Sequence, residues 1–153
     1  MILFPQRDPY DRVHTKDRLP YWIKLAQLAE EGKISFIFFA DTYAGHEIYG
    51  GNADPMLRAG TQSANLDPML LIPAMAAVTK SVGFGVTGST SYLNPYVLAR
   101  TMSSLDHLTD GRIAWNVVTS WSKSTAKALG ADDVVPHDER YEVAKEYMDL
   151  VYK

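Results

Sequence analysis

The residues of this chain that could do chemistry lie just after three apolar runs and at one helix start. Asp41 follows ISFIFFA, Thr87 follows VGFGV, Asn116 to Ser120 closes the run that begins IAW, and His137 and Tyr141 belong to the segment HDERY. Carboxylate, hydroxyl, amide, imidazole and phenol groups in one place can both donate to and accept from a polar ligand. His137 and Tyr141 are spaced i, i+4 and so share one helix face. At a helix N-terminus they would stand beside unpaired N–H groups and the positive end of the dipole, a setting for phosphate or another anion. Arg140 is near enough in sequence to contribute, from a different face. The same residue types also end strands and cap helices. On that reading Asp138 and Glu139 only offset the dipole and His137 caps the turn. Spacing alone leaves both readings open.

Other motifs carry less. Gly83-Phe84-Gly85 sits within an apolar run and lacks the third glycine of a dinucleotide fingerprint. Gly88 reads as part of the loop after the strand, where it would let backbone approach a ligand. His46-Glu47 has no second histidine at metal-ligand spacing, which argues against zinc, and His14 and His107 read as surface or packing residues. No Ser-His-Asp order is specific enough for a hydrolase. The chain has no cysteine, so disulfides, thiolate catalysis and Cys-ligated metals are excluded.

The elements that would position these groups follow from pattern. Pro20 opens a helix with an apolar stripe at Trp22, Leu25, Ala26, Leu28 and Ala29, and Gly32 ends it. Ile34–Ala40 is nearly unbroken apolar sequence rich in β-formers, as in a strand covered on both faces. Residues 42–64 form a long connection with four glycines and no period; such a length is more often functional than accidental. Asp67-Pro68 and Asn94-Pro95 each join an N-cap acceptor to a proline at the first helical position. The first starts a helix through MLLIPAMAAVTK and the second a helix through Leu105, stopped by Asp110-Gly111. Val82–Val86 and Ile113–Val118 are the second and third strands, and a last helix runs from His137 to the end. Helices and strands alternate, which implies βαβ units and a parallel sheet. Asp41, Thr87–Ser91 and Asn116–Ser120 then fall at the carboxyl ends of the strands, where such sheets hold ligands.

Composition bounds the class. A chain of 153 residues with 46% hydrophobic and 22% charged content is the size and make-up of one soluble globular domain. A net charge of -3 without a dense basic block gives no general attraction for nucleic acid. No signal-peptide core or membrane-length apolar run is present. A cytoplasmic α/β protein is expected.

FFAD at 38–41, DPMLLIPAMAAVT at 67–79, GFGVTGSTSY at 83–92, NPYVLARTMSSLDHLTDGRIAWNVVTS at 94–120 and HDERYEVAKEYMDLVYK at 137–153 together point to a family. The chain resembles the nitrilotriacetate/dibenzothiophene-sulfone monooxygenase branch of the bacterial-luciferase-like flavin monooxygenases. The resemblance implies a β/α (TIM-type) barrel that binds reduced FMN (FMNH2) supplied by a separate NAD(P)H-dependent flavin reductase. It further implies that the flavin reacts with O2 to a C4a-peroxyflavin, which inserts one oxygen atom into a small organic substrate. Carried over by motif, Asp41, Thr87, His137 and Tyr141 would be cofactor contacts, with Asn116 a weaker candidate. No residue is assigned a catalytic proton transfer.

The departure from the family is length. A β/α barrel takes about 250 residues, and this chain matches an early part, from after the first strand to the helix after the fourth. The expectation is a single partial barrel domain over 1–153, with an irregular lead-in over 1–19, three strands, four main helices and an end within the last helix. It reads as an N-terminal-half fragment. Open strand edges would favour association, including homo-oligomers. The alternative to an enzyme is a truncated, non-catalytic remnant or structural partner with an incomplete flavin pocket.

Overall fold

The computed structural model describes residues 16–59 and 66–153. Most of the expected lead-in, His14 and the last part of the long connection lie outside the described residues.

Helix α1 (Leu19–Glu31) carries proline in its first turn, is followed by Gly32 and buries Ala26 and Ala29. Strand β1 is Phe36–Phe39. The connection after it is less irregular than its composition implies. It holds a 3-10 turn at Tyr49–Gly51 and a short helix α2 (Asp54–Ala59), started by an Asn52 Oδ1 that accepts the Asp54 N–H at 2.9 Å. Such short pieces span too few residues to show a period.

Both expected Asx-Pro helix starts are present. Asp67 caps α3 (Pro68–Ala76) through the Met69 N–H at 2.8 Å, and Asn94 caps α4 (Pro95–Leu108) through the Val97 N–H at 3.1 Å. Helix α3 ends at Ala76 rather than running to Lys80. Strand β2 is Gly83–Ser89, so Thr87, Gly88 and Ser89 belong to the strand and not to a loop beyond it. Pairing overrides their polar look: the β3 (Ile113–Val118) ladder continues through Thr87↔Asn116, Gly88↔Val117 and Ser89↔Val118. A short helix α5 (Lys123–Ala128), not expected, precedes α6 (His137–Val151).

The strands form a parallel sheet in the order β1-β2-β3. Side chains alternate along each strand and in-register neighbours share a face. On one face Ile37, Phe39, Phe84, Val86 and Ile113 pack with Leu71, Ile72, Met75, Ala26, Ala29 and Leu105 from the helices. Full burial of a side chain such as Phe84 or Ile72 contributes about 1.5–3 kcal/mol. The other face holds Phe36, Phe38, Thr87, Ser89 and Asn116 and has no helix layer among the described residues. Phe36 and Phe38 are 44% and 53% exposed, which corrects the expectation that β1 is covered on both faces. An apolar run cannot tell two covered faces from one covered face and one that lines an interior. Phe36 lies flat across Gly85, where an added Cβ would come within 2.3 Å of its ring. A parallel sheet with helices on one face and no helix on the other among the described residues makes this part of a β/α barrel. No helix among the described residues is long and apolar enough to cross a membrane.

The amino ends of the strands are tied down by two charged side chains. Arg112 donates to the carbonyls of Thr109 (2.9 Å), Val82 (2.9 Å), Ala76 (3.1 Å) and Thr79 (3.3 Å) and to the Thr79 hydroxyl (3.0 Å). Its guanidinium also lies 5.7 Å from the Phe84 ring centroid. The Glu30 carboxylate accepts the N–H groups of Lys80, Ser81 and Val82, joining α1 to the start of β2.

Candidate functional site

The carboxyl ends of the strands open into a cleft of about 750 Å³. Its walls bring together the five cofactor-contact candidates: Asp41, Thr87, Asn116, His137 and Tyr141 all line it. Residues spread over a hundred positions of sequence therefore meet at one place, because each strand delivers its end to the same edge.

Asp41 is half-buried just past β1, with one carboxylate oxygen accepting the Thr42 N–H at 2.8 Å. Burial pushes its carboxyl above the ordinary value, against the Thr42 bond, and the Asp67 carboxylate adds to the rise. Tyr43, two residues on, is pushed up to about 12 by burial and by the carboxylates of Asp41 and Asp67, so its phenol stays protonated at neutral pH.

Thr87 and Asn116 are register partners on the bare face of the sheet. The Thr87 hydroxyl donates to the Phe39 carbonyl at 2.8 Å and accepts from Asn116 Nδ2 at 3.1 Å, a line across all three strands. Deeper in the same edge, Ser120 Oγ donates to Ser89 Oγ at 2.8 Å and Ser91 Oγ to the Thr119 carbonyl at 2.6 Å. These bonds hold the chain as it leaves β3 through Ser120, a non-glycine residue at φ 51°. Gly88 does not face the cleft. A Cβ there would meet Trp115 Nε1 at 2.7 Å on the helix-covered side, where that indole donates to the Gly88 carbonyl at 3.0 Å. Its place in the strand, rather than in a loop, puts Trp115 and not a ligand against it.

The far wall is the start of α6. His137 and Tyr141 do share a face, with ring centroids 5.0 Å apart. His137 does not cap the helix; its Nδ1 pairs with Asp138 Oδ1 at 2.7 Å, and α6 has no side-chain cap, in contrast to α3, α4 and α5. Its first-turn N–H groups are thus left for another acceptor. Arg140 also lines the cleft and donates through Nη1 to the Ser120 carbonyl. The expectation of a different face understated it, since i+3 lies only about 60° round a helix of 3.6 residues per turn.

Trp121, Ser124 and Thr125 carry no legible signal in the sequence. Trp121, 63% exposed, stacks on His46 at 5.8 Å with planes 13° apart. Both line the cleft, and Ser124 Oγ holds the backbone beside His46 by donating to the Gly45 carbonyl at 2.5 Å. Thr125 is 2% exposed and its hydroxyl has no partner among the described residues; Arg140 Nε is likewise buried and unpartnered. Both residues line the cleft. A buried polar atom without a partner is costly; of the three among the described residues, two stand in this wall and the third, Tyr147 Oη, lies away from the cleft.

The donor set suits a flavin nucleotide. Arg140 and the uncapped α6 terminus favour an anion, Thr125 and the serines suit hydroxyls, and Phe38 with the sheet floor offers an apolar surface to a flat ring. Asp138 and Glu139 in the first turn of α6 work against an anion there, and Asp138 Oδ1 is hydrogen-bonded to His137 Nδ1.

Comparison with known proteins agrees. A long-chain alkane monooxygenase of Geobacillus thermodenitrificans (strain NG80-2) is 48% identical over 147 residues, covering 96% of this chain and 33% of that protein. The crystal structure of a long-chain alkane monooxygenase superposes with a TM-score of 0.90 at 47% identity, over 95% of this chain and 34% of that one. Nitrilotriacetate monooxygenase component A of Aminobacter aminovorans is 38% identical over 153 residues, covering 96% of this chain and 33% of that protein. A riboflavin lyase solved with modified FMN and riboflavin superposes with a TM-score of 0.86 at 39% identity, over 95% of this chain and 33% of that one. This chain spans about a third of the length of these relatives. The family model described as luciferase-like monooxygenase matches residues 1–153, and the chain belongs to that family.

Proposed function

We propose that this chain forms one wall of the FMN site of a two-component monooxygenase that transfers one oxygen atom from O2 to a small organic substrate. The observation that carries the reading is the cleft itself. Asp41, Thr87, Asn116, His137 and Tyr141 converge there beside a buried Thr125 hydroxyl and a buried Arg140 Nε that no described residue satisfies. Reduced FMN, delivered by a separate NAD(P)H-dependent flavin reductase, supplies the electrons that activate O2.

The protein's part is binding, orientation and exclusion of water. Arg140, His137 and the first-turn N–H groups of α6 would hold the phosphate end, and Tyr141 packs against His137. Thr87 and Asn116 set the floor, and Asp41 with the protonated Tyr43 phenol closes the β1 side. Trp121 stacked on His46 would add an aromatic wall that limits access of water to a bound flavin.

The test is titration of the 153-residue protein with FMN and with dithionite-reduced FMN under argon. Saturable binding of at least one form in the micromolar range is expected. Absence of binding by either form up to high micromolar concentration overturns the proposal. Where binding is found, mass spectrometry of products formed under 18O2 with a flavin reductase present reports oxygen transfer.

A further inference from the structure

The hydrogen-bond line across the cleft floor limits what Thr87 can do. Its hydroxyl has one proton and two acceptor positions. The proton is committed to the Phe39 carbonyl at 2.8 Å, because a carbonyl only accepts. Asn116 must then present Nδ2, as it does at 3.1 Å, since its Oδ1 would meet a lone pair. One acceptor position remains on Thr87 and no donor. Thr87 is 8% exposed and lines the cleft.

Isoalloxazine changes its hydrogen-bonding sense on reduction. Ring nitrogens N1 and N5 are acceptors when oxidised; two-electron reduction with uptake of two protons makes both into N–H donors. We infer that Thr87 reads the redox state of the flavin by facing N1 or N5 rather than N3, which is an N–H in both states: it accepts from that ring N–H in the reduced form and opposes the ring lone pair of the oxidised form. Asn116 is the positioning residue that, together with Phe39, keeps the hydroxyl from turning to donate. The inference rests on the FMN reading above and adds to it a named discriminator between the two forms.

The experiment measures Kd for FMN and for dithionite-reduced FMN, anaerobically, on the full chain and four variants. The unsubstituted protein is expected to favour the reduced form at least tenfold. Thr87→Val removes the acceptor at nearly constant volume, and Thr87→Cys replaces it with a poor one. Both are expected to bring the ratio within about threefold of unity, whereas Thr87→Ser keeps it. Asn116→Leu is expected to give an intermediate ratio, since the hydroxyl survives without its lateral anchor. Each tenfold loss of ratio equals a fall of about 30 mV in the midpoint potential of the bound flavin, a readout that a merely structural role would not move. If Thr87→Val fails to fold, as thermal melts will show, Thr87→Cys decides. An unchanged ratio in the Val and Cys variants, or no preference in the unsubstituted protein, overturns the assignment of Thr87 while leaving FMN binding intact. An unchanged ratio in Asn116→Leu overturns the role of Asn116. Binding of neither form by the unsubstituted protein overturns the FMN reading and this assignment together.

Discussion

The two ends of the same three strands are built on opposite terms. At the amino ends, Arg112 reaches four backbone carbonyls and one hydroxyl, and Glu30 gathers three consecutive N–H groups. At the carboxyl ends, Thr125 Oγ1 and Arg140 Nε are buried without a partner, Ser120 sits at positive φ, and α6 starts with no side-chain cap. At one end the charged groups are spent on the fold; at the other the hydroxyls and amides are largely spent as well, but two buried polar atoms have no described partner. In β/α folds this division separates the stabilising face from the ligand face, and here it can be followed atom by atom.

Substitutions should break the contrast in opposite directions. The largest effect is expected at Arg112→Ala, which leaves several carbonyls of the α3–β2 turn and Thr109 short of a donor. Loss of charge-assisted bonds to buried acceptors should cost about 3 kcal/mol or more, read from the midpoint of urea unfolding. A loss below about 1 kcal/mol would show that the amino end is not the anchor described.

Thr125→Val should do the reverse. Removing an unpartnered buried hydroxyl at constant shape should leave the ligand-free protein equally stable or raise its stability by up to about 1 kcal/mol, while weakening FMN. A clear loss of thermal stability would mean that the hydroxyl already serves the fold. Ser120→Gly has two opposed terms, relief of the positive φ and loss of the bond to Ser89, so its net change should stay within about 1 kcal/mol. Hydrogen exchange at Thr119 and Ser120 should nonetheless quicken.

The smallest expected effect is in pH dependence, and it has a different sign at each end. Bonds from the Val82 N–H, and then from Ser81 and Lys80, lower the Glu30 pKa. Its contribution is therefore present above the ordinary carboxylate range and is lost as pH falls through the lowered folded value. Burial raises the Asp41 pKa. Its contribution is present below the ordinary range and is lost as pH rises through the raised folded value. Unfolding curves from pH 3 to 7 should show Glu30→Gln removing acid sensitivity and Asp41→Asn gaining most, relative to the parent, at the upper end. Identical pH profiles for the two variants would refute the division.

Much of this was legible in the residues. Alternating helix and strand patterns, two Asx-Pro starts and polar strand ends are local signals, and each depends on a few neighbouring side chains. The expectation that His137 and Tyr141 share a face needed only helical geometry. What could not be read depends on partners distant in sequence. Nothing near Thr87 tells that its proton goes to Phe39, because that carbonyl is set beside it only by the β1–β2 register. Arg140 looked peripheral until the chain past β3 brought the Ser120 carbonyl to it. Phe36 and Phe38 match a buried run in type, yet they are exposed because the helices cover one side of the sheet only.

The sequence by itself determined the order of the main helices and strands, the parallel alternation and the edge at which a ligand would sit, since backbone propensity and hydrophobic period act within a few residues. Tertiary structure alone decided which polar groups are spent and which are free. A hydroxyl or guanidinium is committed only when a particular backbone atom, dozens of positions away, is brought within hydrogen-bond distance. At the amino ends that happens to every nitrogen of Arg112; at the cleft it leaves Thr125 Oγ1, Arg140 Nε and one lone pair of Thr87 without a described partner.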